Sequence, residues 1–436
     1  MTPTLQLIDG APGAARFAFD SFASLIAPLG SDAFFNHYWE RQPFHVRRGR
    51  PGYFDALFGM ADVDRLIGSQ LFRDGDVRIA KDGALTPFAE FSRGGVANRA
   101  AMLQAYANGA TLVFEHLNRH HAGLGRAMAC CEVELEFPIR VNSYLTPARS
   151  KGFSRHYDTH DVLVLQVSGS KTWQIYDNPL PLPHEEQAYV PAWGEQARLL
   201  AEITLQPGDV LYLPRGFIHG ASANGDSSLH LTIGMRSLPL REVAVSAIRH
   251  AALAHPQLRQ AARFRGIDRG AVLEQARRQL HALVDEADLG ALFDDVLYSF
   301  IKKRTRPMDG QLLELGAAPS IDHQTPLALR PGCLARSFAR AGGVALAVDG
   351  RTIRLPAGVE AALGFIGTRP VFCAAQLPGL EYESRLILAR TLHAEGVLEV
   401  RVTPASPIPA APAVMPAPAS AATVTANTEH PEGAYA

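Results

Sequence analysis

Residues 155–173 read RHYDTHDVLVLQVSGSKTW, and this stretch places three metal-capable side chains at alternate positions before an apolar run. The three residues are His156, Asp158 and His160. If the segment is a β-strand, side chains two residues apart point to the same face, so all three would face one space. The pattern therefore predicts a strand whose beginning carries a candidate metal site.

Strand geometry limits how many of these side chains can share one metal ion. At about 3.3 Å per residue, the Cα atoms of His156 and His160 lie roughly 13 Å apart, which demands full reach from both imidazoles. Adjacent same-face residues lie about 6.6 Å apart, so either His156 with Asp158 or Asp158 with His160 supplies a pair. The competing interpretation, which we favour for His160, is a rim histidine that bonds a loop carbonyl or supports a ligand.

The third ligand must come from a distant part of the chain. The best candidate is His219 in QPGDVLYLPRGFIHGA, where a turn and an apolar strand are followed by Pro214-Arg215-Gly216, which redirects the chain. Two imidazoles and one carboxylate leave three coordination positions open. This is the arrangement of non-haem Fe(II) sites that activate oxygen.

The chain from Glu132 to Arg236 consists of short apolar or alternating runs that are separated by turns. The runs are VELEFPIRVNSYLTP, DVLVLQVSGSKTWQIYD, ARLLAEITLQPGDVLYLP and SSLHLTIGMR. Several short strands at this spacing, with Gly and Pro between them, indicate an antiparallel barrel or sandwich. Helical patterns on both sides make the predicted fold class mixed α+β.

The regions around this core predict a chain of several domains. We expect an N-terminal helical and strand extension over 1–95, a catalytic domain over 96–237, a helical region over 238–304 and a further domain over 305–403. The Pro- and Ala-rich segment 404–436 has too little large apolar content to fold, so we expect it to be disordered.

Composition excludes several classes of protein. With 42 basic and 43 acidic residues, the overall charge gives no reason to expect a nucleic-acid or membrane-surface binder. The four cysteines form no CxxC pair, so neither a zinc ribbon nor a disulfide framework is expected. The N-terminus lacks the pattern of a secretory signal, and we find no apolar run of membrane-spanning length. We expect a cytoplasmic protein.

Four motifs between residues 137 and 236 occur in the order that is found in one known family. HYDTHDVLVLQVSGSKTWQIY, GDVLYLPRGFIHGA and SLHLTIG resemble the JmjC-type cupins, and specifically their ribosomal-oxygenase subgroup. Upstream, FFNHYWERQPFHVRR and VNSYLTPARSKGFSRHYD are similar to the subgroup's opening signature and to the strand that enters its metal site. The resemblance implies a double-stranded β-helix (jelly-roll) core, a helical dimerisation region and a winged-helix-like C-terminal domain.

The resemblance also implies a set of site residues. It selects His156, Asp158 and His219 as ligands of Fe(II), and it implies 2-oxoglutarate and O2 as cosubstrates. Lys171 would bind the distal carboxylate of 2-oxoglutarate, the alternative being a solvated lysine. Three further residues match positions of the cosubstrate pocket, although each is also explained as an ordinary strand or core residue: Asn142, Tyr144 and His230.

The implied function is hydroxylation of a protein or peptide side chain, possibly of a ribosomal protein. Demethylation of an N-methylated side chain and hydroxylation of a biosynthetic peptide or small molecule remain alternatives. A non-enzymatic, nucleic-acid-binding cupin and winged-helix protein is a further alternative, but KKRTR at 302–306 is the one compact basic run, and we favour a solvated helix end there. The segments 92–119 and 178–200 depart from the subgroup's pattern, which leaves the ribosomal substrate open. The 240–300 helices imply a homodimer, with a monomeric helical domain as the alternative.

Overall fold

The computed structural model describes residues 4–10, 19–260, 268–286, 288–316, 320–340 and 342–401. The predicted tail over 404–436 lies outside the described residues. Among the described helices, none combines the length and the apolar character that a membrane crossing requires.

The N-terminal part of the chain alternates short helices and strands. Before the strand-rich core, the chain forms β1 (Gln6–Asp9), α1 (Phe22–Ile26), α2 (Ser31–His37), β2 (Phe44–Arg47), α3 (Met60–Ser69), β3 (Val77–Lys81), β4 (Ala84–Thr86), a 3-10 helix (Phe88–Phe91), β5 (Ser92–Arg93), β6 (Val96–Ala97), α4 (Arg99–Ala107), β7 (Thr111–Phe114), α5 (Leu117–His120) and α6 (Ala122–Leu135). As the Asn108-Gly109 pair predicts, α4 ends just before a β run.

The core strands follow in quick succession. They are β8 (Ile139–Thr146), β9 (Asp161–Ser168), β10 (Lys171–Tyr176), β11 (Leu199–Leu205), β12 (Val210–Leu213), β13 (His219–Ala223) and β14 (Ser228–Met235), with the short helix α7 (Pro191–Gln196) before β11. Two details differ from the sequence prediction. The segment Val133–Leu135 ends helix α6 instead of starting a strand, and β9 begins only at Asp161, so His156–His160 is not a continuous strand.

Two sheets face each other across the core, as expected of a cupin. The larger sheet has nine strands in the order β1-β2-β12-β9-β14-β8-β7-β3-β4, and it is antiparallel except for the β1–β2 pair. The smaller sheet has the order β11-β10-β13. Side chains from both sheets form one apolar cluster between them: Val162, Val164, Trp173, Ile175, Leu205, Leu211, Leu213 and Phe217.

The opposite face of the large sheet is covered by the N-terminal helices. Because side chains alternate along a strand, Leu163 and Leu165 of β9 point away from Val162 and Val164 and join a second, larger cluster. Tyr212 of β12 is fully buried there and stacks on Phe44 of β2, with ring centroids 5.4 Å apart. A sheet buried on both faces gives near-continuous apolar strands, which explains the run DVLVLQV.

The remainder of the chain is a helical region followed by a small mixed domain. The helical region contains α8 (Leu240–Ala254), a 3-10 helix (Pro256–Arg259), α9 (Arg269–Glu286) and α10 (Leu289–Lys303). The last domain contains α11 (Gln311–Leu315), β15 (Leu327–Leu329), β16 (Ala335–Arg340), β17 (Gly343–Val348), β18 (Arg351–Leu355), α12 (Glu360–Thr368), a 3-10 helix (Ala374–Gln376), α13 (Tyr382–Ala394) and β19 (Leu398–Val400).

The basic run at 302–306 is a solvated helix end only in part: Lys302 and Lys303 are exposed in the last turn of α10, whereas Arg304 and Arg306 are engaged within the protein. Arg304 is 4% exposed, and its guanidinium donates to Glu132 at 2.8 Å and to the carbonyl oxygen of Ala129 at 2.6 Å. Both Arg304 and Arg306 also pair with Asp349 in the turn between β17 and β18. These arginines therefore join the last domain to α6, and their charge is already neutralised within the protein.

Candidate functional site

The backbone brings His156 and His219 side by side. The two residues form an isolated antiparallel bridge in which each amide donates to the other's carbonyl oxygen, at 3.1 and 2.8 Å. His219 begins β13 directly after the turn that contains Gly216, whose φ of +90° favours glycine. Asp158 lies two residues beyond the bridge, and its carbonyl oxygen accepts from the amide of Gly216 at 3.1 Å. The predicted pair and its distant partner are thus joined by a bridge and a turn rather than by a strand.

Three potential ligand atoms converge at this point. Nε2 of His156 lies 3.9 Å from one carboxylate oxygen of Asp158, and Nε2 of His219 lies 3.7 Å from the other. All three ligand atoms lie within 4.8 Å of one another. Nδ1 of His156 bonds the carbonyl oxygen of Ser154 at 2.9 Å, and Nδ1 of His219 bonds that of Phe217 at 3.0 Å. A carbonyl accepts only from a protonated Nδ1, so each Nε2 keeps a lone pair for a metal ion.

The electrostatics of the cluster also suit a cation. Burial alone would raise the pKa of Asp158, but the neighbouring imidazoles of His156 and His219 hold it below its ordinary value. Burial and the proximity of His156 lower the pKa of His219 to about 4. At neutral pH this arrangement holds a carboxylate beside a neutral His219, which are the protonation states that metal coordination needs.

A cavity of about 220 Å³ opens from these three residues into the space between the two sheets. We call it the central cavity. Its other polar lining residues are Arg78, Thr111, Tyr144, Lys171, His230 and Thr232.

Lys171 carries a buried ammonium group into the central cavity. The residue is 5% exposed, and its Nζ donates to Oγ1 of Thr146 at 3.1 Å. Burial lowers the pKa of Lys171 to about 7. Its strand β10 pairs with β13, with Ile175 opposite His219, so it neighbours the His219 strand rather than the segment that carries Asp158. A buried cation with one hydroxyl partner is costly unless an anion joins it.

Two of the other predicted pocket residues line the cavity, and one does not. The rings of Tyr144 and His230 stack with centroids 4.8 Å apart, and Trp173 meets His230 edge to face at 5.6 Å. Nδ1 of His230 is buried and has no hydrogen-bond partner among the described residues. Asn142 lies beside the cavity, outside its lining, where its side-chain oxygen accepts from the amide of His116 at 3.1 Å.

Sequence reasoning missed several residues in and around the central cavity. Thr146 supports Lys171 from outside the cavity lining, and it lies two positions after Tyr144 on β8, so the alternation in VNSYLTP was sufficient to predict its position. Arg78 and Thr111 come from β3 and β7, and Arg78 lies in the segment that was assigned to an N-terminal extension. Arg78 forms an ion pair with Glu115 and lies over the ring of Phe153 at 5.5 Å. Nothing local in the sequence marks these long-range contacts.

His160 is outside the three-residue cluster, in agreement with the prediction that it is not a ligand. It lies against β14, where a Cβ atom at Gly234 would meet its Nε2 at 2.7 Å. The next residue, Asp161, is fully buried and accepts from Arg215 at 2.9 Å and from the hydroxyl of Tyr212 at 2.8 Å. Arg215 belongs to the turn that precedes His219 and also pairs with Glu40 at 2.6 Å. This network fixes the start of β9 relative to the turn before His219.

Comparisons with known proteins agree with this geometry. Residues 116–243 match the JmjC domain family. Among curated proteins, ribosomal oxygenase 1 of Gallus gallus is 34% identical over 50% of this chain and 37% of its own length, and ribosomal oxygenase 2 of Mus musculus is 32% identical over 49% of this chain and 48% of its own. The match therefore spans less than half of each relative. A relative from Aedes aegypti, 29% identical over 50% of this chain and 34% of its own length, is named bifunctional lysine-specific demethylase and histidyl-hydroxylase NO66.

Solved structures show the same fold over a larger part of the chain. YcfD of E. coli superposes with a TM-score of 0.54 at 16% identity, covering 86% of this chain and 98% of that one. YcfD, described as a ribosomal oxygenase, is also known in complex with cobalt and 2-oxoglutarate, and that structure has a TM-score of 0.50 at 18% identity, covering 85% and 98%. The similarity therefore extends beyond the JmjC domain into the flanking regions.

Proposed function

We propose that this JmjC-domain chain is an Fe(II)- and 2-oxoglutarate-dependent oxygenase that hydroxylates a protein or peptide side chain. One observation carries the proposal: two imidazoles and a carboxylate, with ligand atoms within 4.8 Å, share the central cavity with the buried ammonium of Lys171. The first group suits a non-haem iron ion, and the second suits a dicarboxylate that reaches toward the metal.

Three residues of the chain would hold the metal ion. Nε2 of His156, one carboxylate oxygen of Asp158 and Nε2 of His219 would hold Fe(II), because both Nδ1 atoms are engaged with backbone carbonyls. When bound, iron with 2-oxoglutarate and O2 supplies the oxidising chemistry that inserts oxygen into a C–H bond. The protein groups position the reactants and exclude water.

The opposite part of the cavity would hold the cosubstrate. Lys171, held in place by Thr146, would offer its ammonium to the distal carboxylate of 2-oxoglutarate, while the stacked rings of Tyr144 and His230 form an adjacent wall. The unpartnered Nδ1 of His230 is available to a polar ligand. A buried polar atom without a partner costs roughly 1–3 kcal/mol, so it favours a ligand that satisfies it.

The names of the relatives suggest the substrate class. Relatives named ribosomal oxygenase and histidyl-hydroxylase make a protein side chain the first candidate, with a ribosomal protein and a histidine as specific possibilities. The Aedes aegypti relative's name also includes lysine demethylation, which uses the same oxidant on a methyl group. Detection of formaldehyde would identify demethylation, and a substrate mass gain of 16 Da would identify hydroxylation.

We also propose that the chain is a homodimer through its helical region. Three leucines of α8 and α10 are strongly exposed: Leu240 at 82%, Leu253 at 76% and Leu289 at 60%. Exposed apolar side chains on neighbouring helices suit a subunit interface. The last domain would be a winged-helix-like module with a structural role, because Arg304 and Arg306 are held in ion pairs and only Lys302 and Lys303 of the run at 302–306 are exposed.

The proposed activity is tested by anaerobic loading with Fe(II) and 2-oxoglutarate, followed by oxygen and measurement of succinate. We expect succinate from the wild type and none from His156→Ala or Asp158→Ala. His281→Ala, an exposed histidine of α9, is the matched control and should behave as the wild type. Mn(II) binding gives a second readout, with a loss in both site variants greater than the roughly 10–100-fold typical of an outer-shell change. Absence of succinate from the wild type, or unchanged Mn(II) binding in the variants, would refute the assignment.

A further inference from the structure

Two neighbouring strands that line the central cavity continue beyond it to exposed arginines. In the antiparallel pair of β8 and β14, His230 lies opposite Tyr144, and Gly234 lies opposite Arg140. Because side chains two residues apart share a face, Arg140 lies on the same face of β8 as Tyr144, roughly 13 Å further along. Arg236 follows on the same face of β14 as His230, and its amide continues the ladder by donating to Pro138 at 3.0 Å.

A third arginine completes this group, which we call the arginine rim: Arg119, Arg140 and Arg236. All three side chains are exposed, and Arg119 and Arg140 line a cleft of about 490 Å³. Partial burial and the neighbouring guanidinium groups of Arg236 and Arg119 lower the pKa of Arg140, which reflects their proximity. Within the part of the chain that the structure describes, no carboxylate lies within ion-pair distance of any of the three.

The acidic side chains near the rim have cations of their own. Glu132 pairs with Arg304 at 2.8 Å, Glu242 with Arg241 at 2.7 Å, and Asp295 with His250 at 2.9 Å. Glu115, the acid that most affects Arg140, forms an ion pair with Arg78. Among the described residues, the arginine rim therefore carries positive charge that no ion pair neutralises, although Glu115 lies near Arg140.

We infer that the protein segment presented to the central cavity carries acidic side chains, which bind Arg119, Arg140 and Arg236. The inference rests on the proposed function and narrows its substrate class. Guanidinium groups bind carboxylates through paired hydrogen bonds, whereas they repel the cationic side chains of an unsuitable partner. A segment rich in lysine and arginine would meet repulsion at the rim, so the stretch that is presented to the cavity is itself acidic, whatever the net charge of the protein that carries it.

An acidic peptide fits the rim better than a nucleic acid does. Phosphate backbones bind to extended tracks of basic residues, and their affinity grows with the number of phosphates contacted. The cleft also contains Arg249 and Lys303, but Glu242 and Asp295 line it as well, so its positive charge does not form a continuous track. The other basic run has Arg304 and Arg306 in buried ion pairs. The rim therefore suits one or two carboxylates beside the cavity.

The test is fluorescence anisotropy with the full chain and three labelled probes at 50 mM and 300 mM salt. The first probe is an 11-residue peptide with a central histidine and two glutamates on each side, the second has lysines in place of the glutamates, and the third is a single-stranded RNA 11-mer. We expect the acidic peptide to bind at least about tenfold more tightly than the other two at low salt, and to weaken at high salt.

Charge-reversal variants test whether the acidic peptide binds at the arginine rim. The double variant Arg140→Glu with Arg236→Glu should bind the acidic peptide at least about tenfold more weakly and should gain affinity for the lysine peptide. The control Arg93→Glu reverses an exposed arginine of β5 and should leave both affinities unchanged. Equal binding of the two peptides, tighter binding of the RNA, or an equal effect of Arg93→Glu would overturn the inference. The assay contains neither Fe(II) nor 2-oxoglutarate, so such a failure leaves the succinate test of the proposed oxygenase activity independent.

Discussion

Nζ of Lys171, which lines the central cavity, lies 3.1 Å from Oγ1 of the fully buried Thr146. Among the described residues this hydroxyl is the one hydrogen-bond partner of the ammonium, which leaves two protons for a ligand at a place too buried for bulk water. The pair is therefore the natural binding point for a carboxylate.

Removal of the Lys171 ammonium group should weaken the binding of 2-oxoglutarate more than it affects the later steps of the reaction. For Lys171→Met we expect the KM for 2-oxoglutarate to rise by about 10–150-fold, because a hydrogen bond to a charged group contributes roughly 1.5–3 kcal/mol. Steady-state succinate formation measures this value. Thr172→Val, on the opposite face of β10, is the control, since Thr172 bonds Thr204 and Asn224 outside the cavity. An unchanged KM in Lys171→Met would remove the residue from the cosubstrate site.

Cosubstrate affinity should also depend on pH in a predictable direction. Burial lowers the pKa of Lys171 to about 7, so the free protein loses the ammonium as pH rises through 7. Binding of the dicarboxylate requires that charge, so the KM for 2-oxoglutarate should rise by up to about tenfold per pH unit between pH 7 and 9. His219, with a pKa of about 4, titrates outside this window.

The matched comparison for this pH effect is Lys171→Arg. A guanidinium remains charged over the whole range, so any activity that this variant retains should show a flat KM between pH 7 and 9. Identical slopes in the wild type and in the arginine variant would show that another group governs the pH dependence.

The ion pair between Arg215 and Asp161 should be important for stability. Arg215→Met leaves the fully buried carboxylate without its cation, and we expect the free energy of unfolding to fall by roughly 3–5 kcal/mol. The control is Arg198→Met, which removes an exposed pair with Asp177 at 3.8 Å and should cost at most about 1 kcal/mol. Denaturant titrations of both variants give the values.

The stability loss of Arg215→Met should also depend on pH. Burial, opposed by Arg215 and Tyr212, raises the pKa of Asp161 to about 6, above its ordinary value of 3.8. Because Arg215 opposes the effect of burial, its removal raises the pKa of Asp161 further, so the variant loses stability relative to the wild type as pH rises above about 6. The deficit of Arg215→Met should therefore be smaller at pH 5 than at pH 8. An equal deficit at both values would mean that the loss arises from packing alone.

The buried ion pairs of Arg304 should hold the last domain against α6. For Arg304→Met we expect a loss of roughly 3–5 kcal/mol and faster hydrogen exchange in β17 and β18, because Glu132 and Asp349 are then left without this cation. Lys302→Met removes an exposed neighbour and should change stability by about 0.5–1 kcal/mol at most. Exchange rates that stay unchanged in Arg304→Met would show that the domain contact does not depend on this residue.

Local patterns in the sequence predicted much of the site. The residues that sequence reasoning missed reach the site through long-range contacts. The apolar run after Asp161, the turn before His219 and the alternation of Tyr144 with Thr146 are local signals, and each corresponds to a strand or a turn in the structure. The assumption that His156 lies in a strand was wrong, because the backbone there pairs only in one bridge with His219.

Distant contacts carry no comparable signal. Arg78 and Thr111 reach the central cavity from β3 and β7 because the large sheet extends that far, which no nearby residue indicates. The run KKRTR resembles a solvated basic segment until Glu132 and Asp349, far away in sequence, are seen beside Arg304. Burial of a charge depends on the partners that the fold supplies, and those partners are not local.

The register between β10 and β13 sets a length scale for the cosubstrate. Ile175 lies opposite His219, and Lys171 lies four residues before Ile175 on the same strand. At about 3.3 Å per residue, the strand separates the Cα atoms of Lys171 and Ile175, and hence the levels of Lys171 and His219, by roughly 13 Å. The hydrogen-bonded ladder fixes this spacing, so a longer or shorter dicarboxylate than 2-oxoglutarate would bind only if the side chains of Lys171 or the metal ligands changed rotamer.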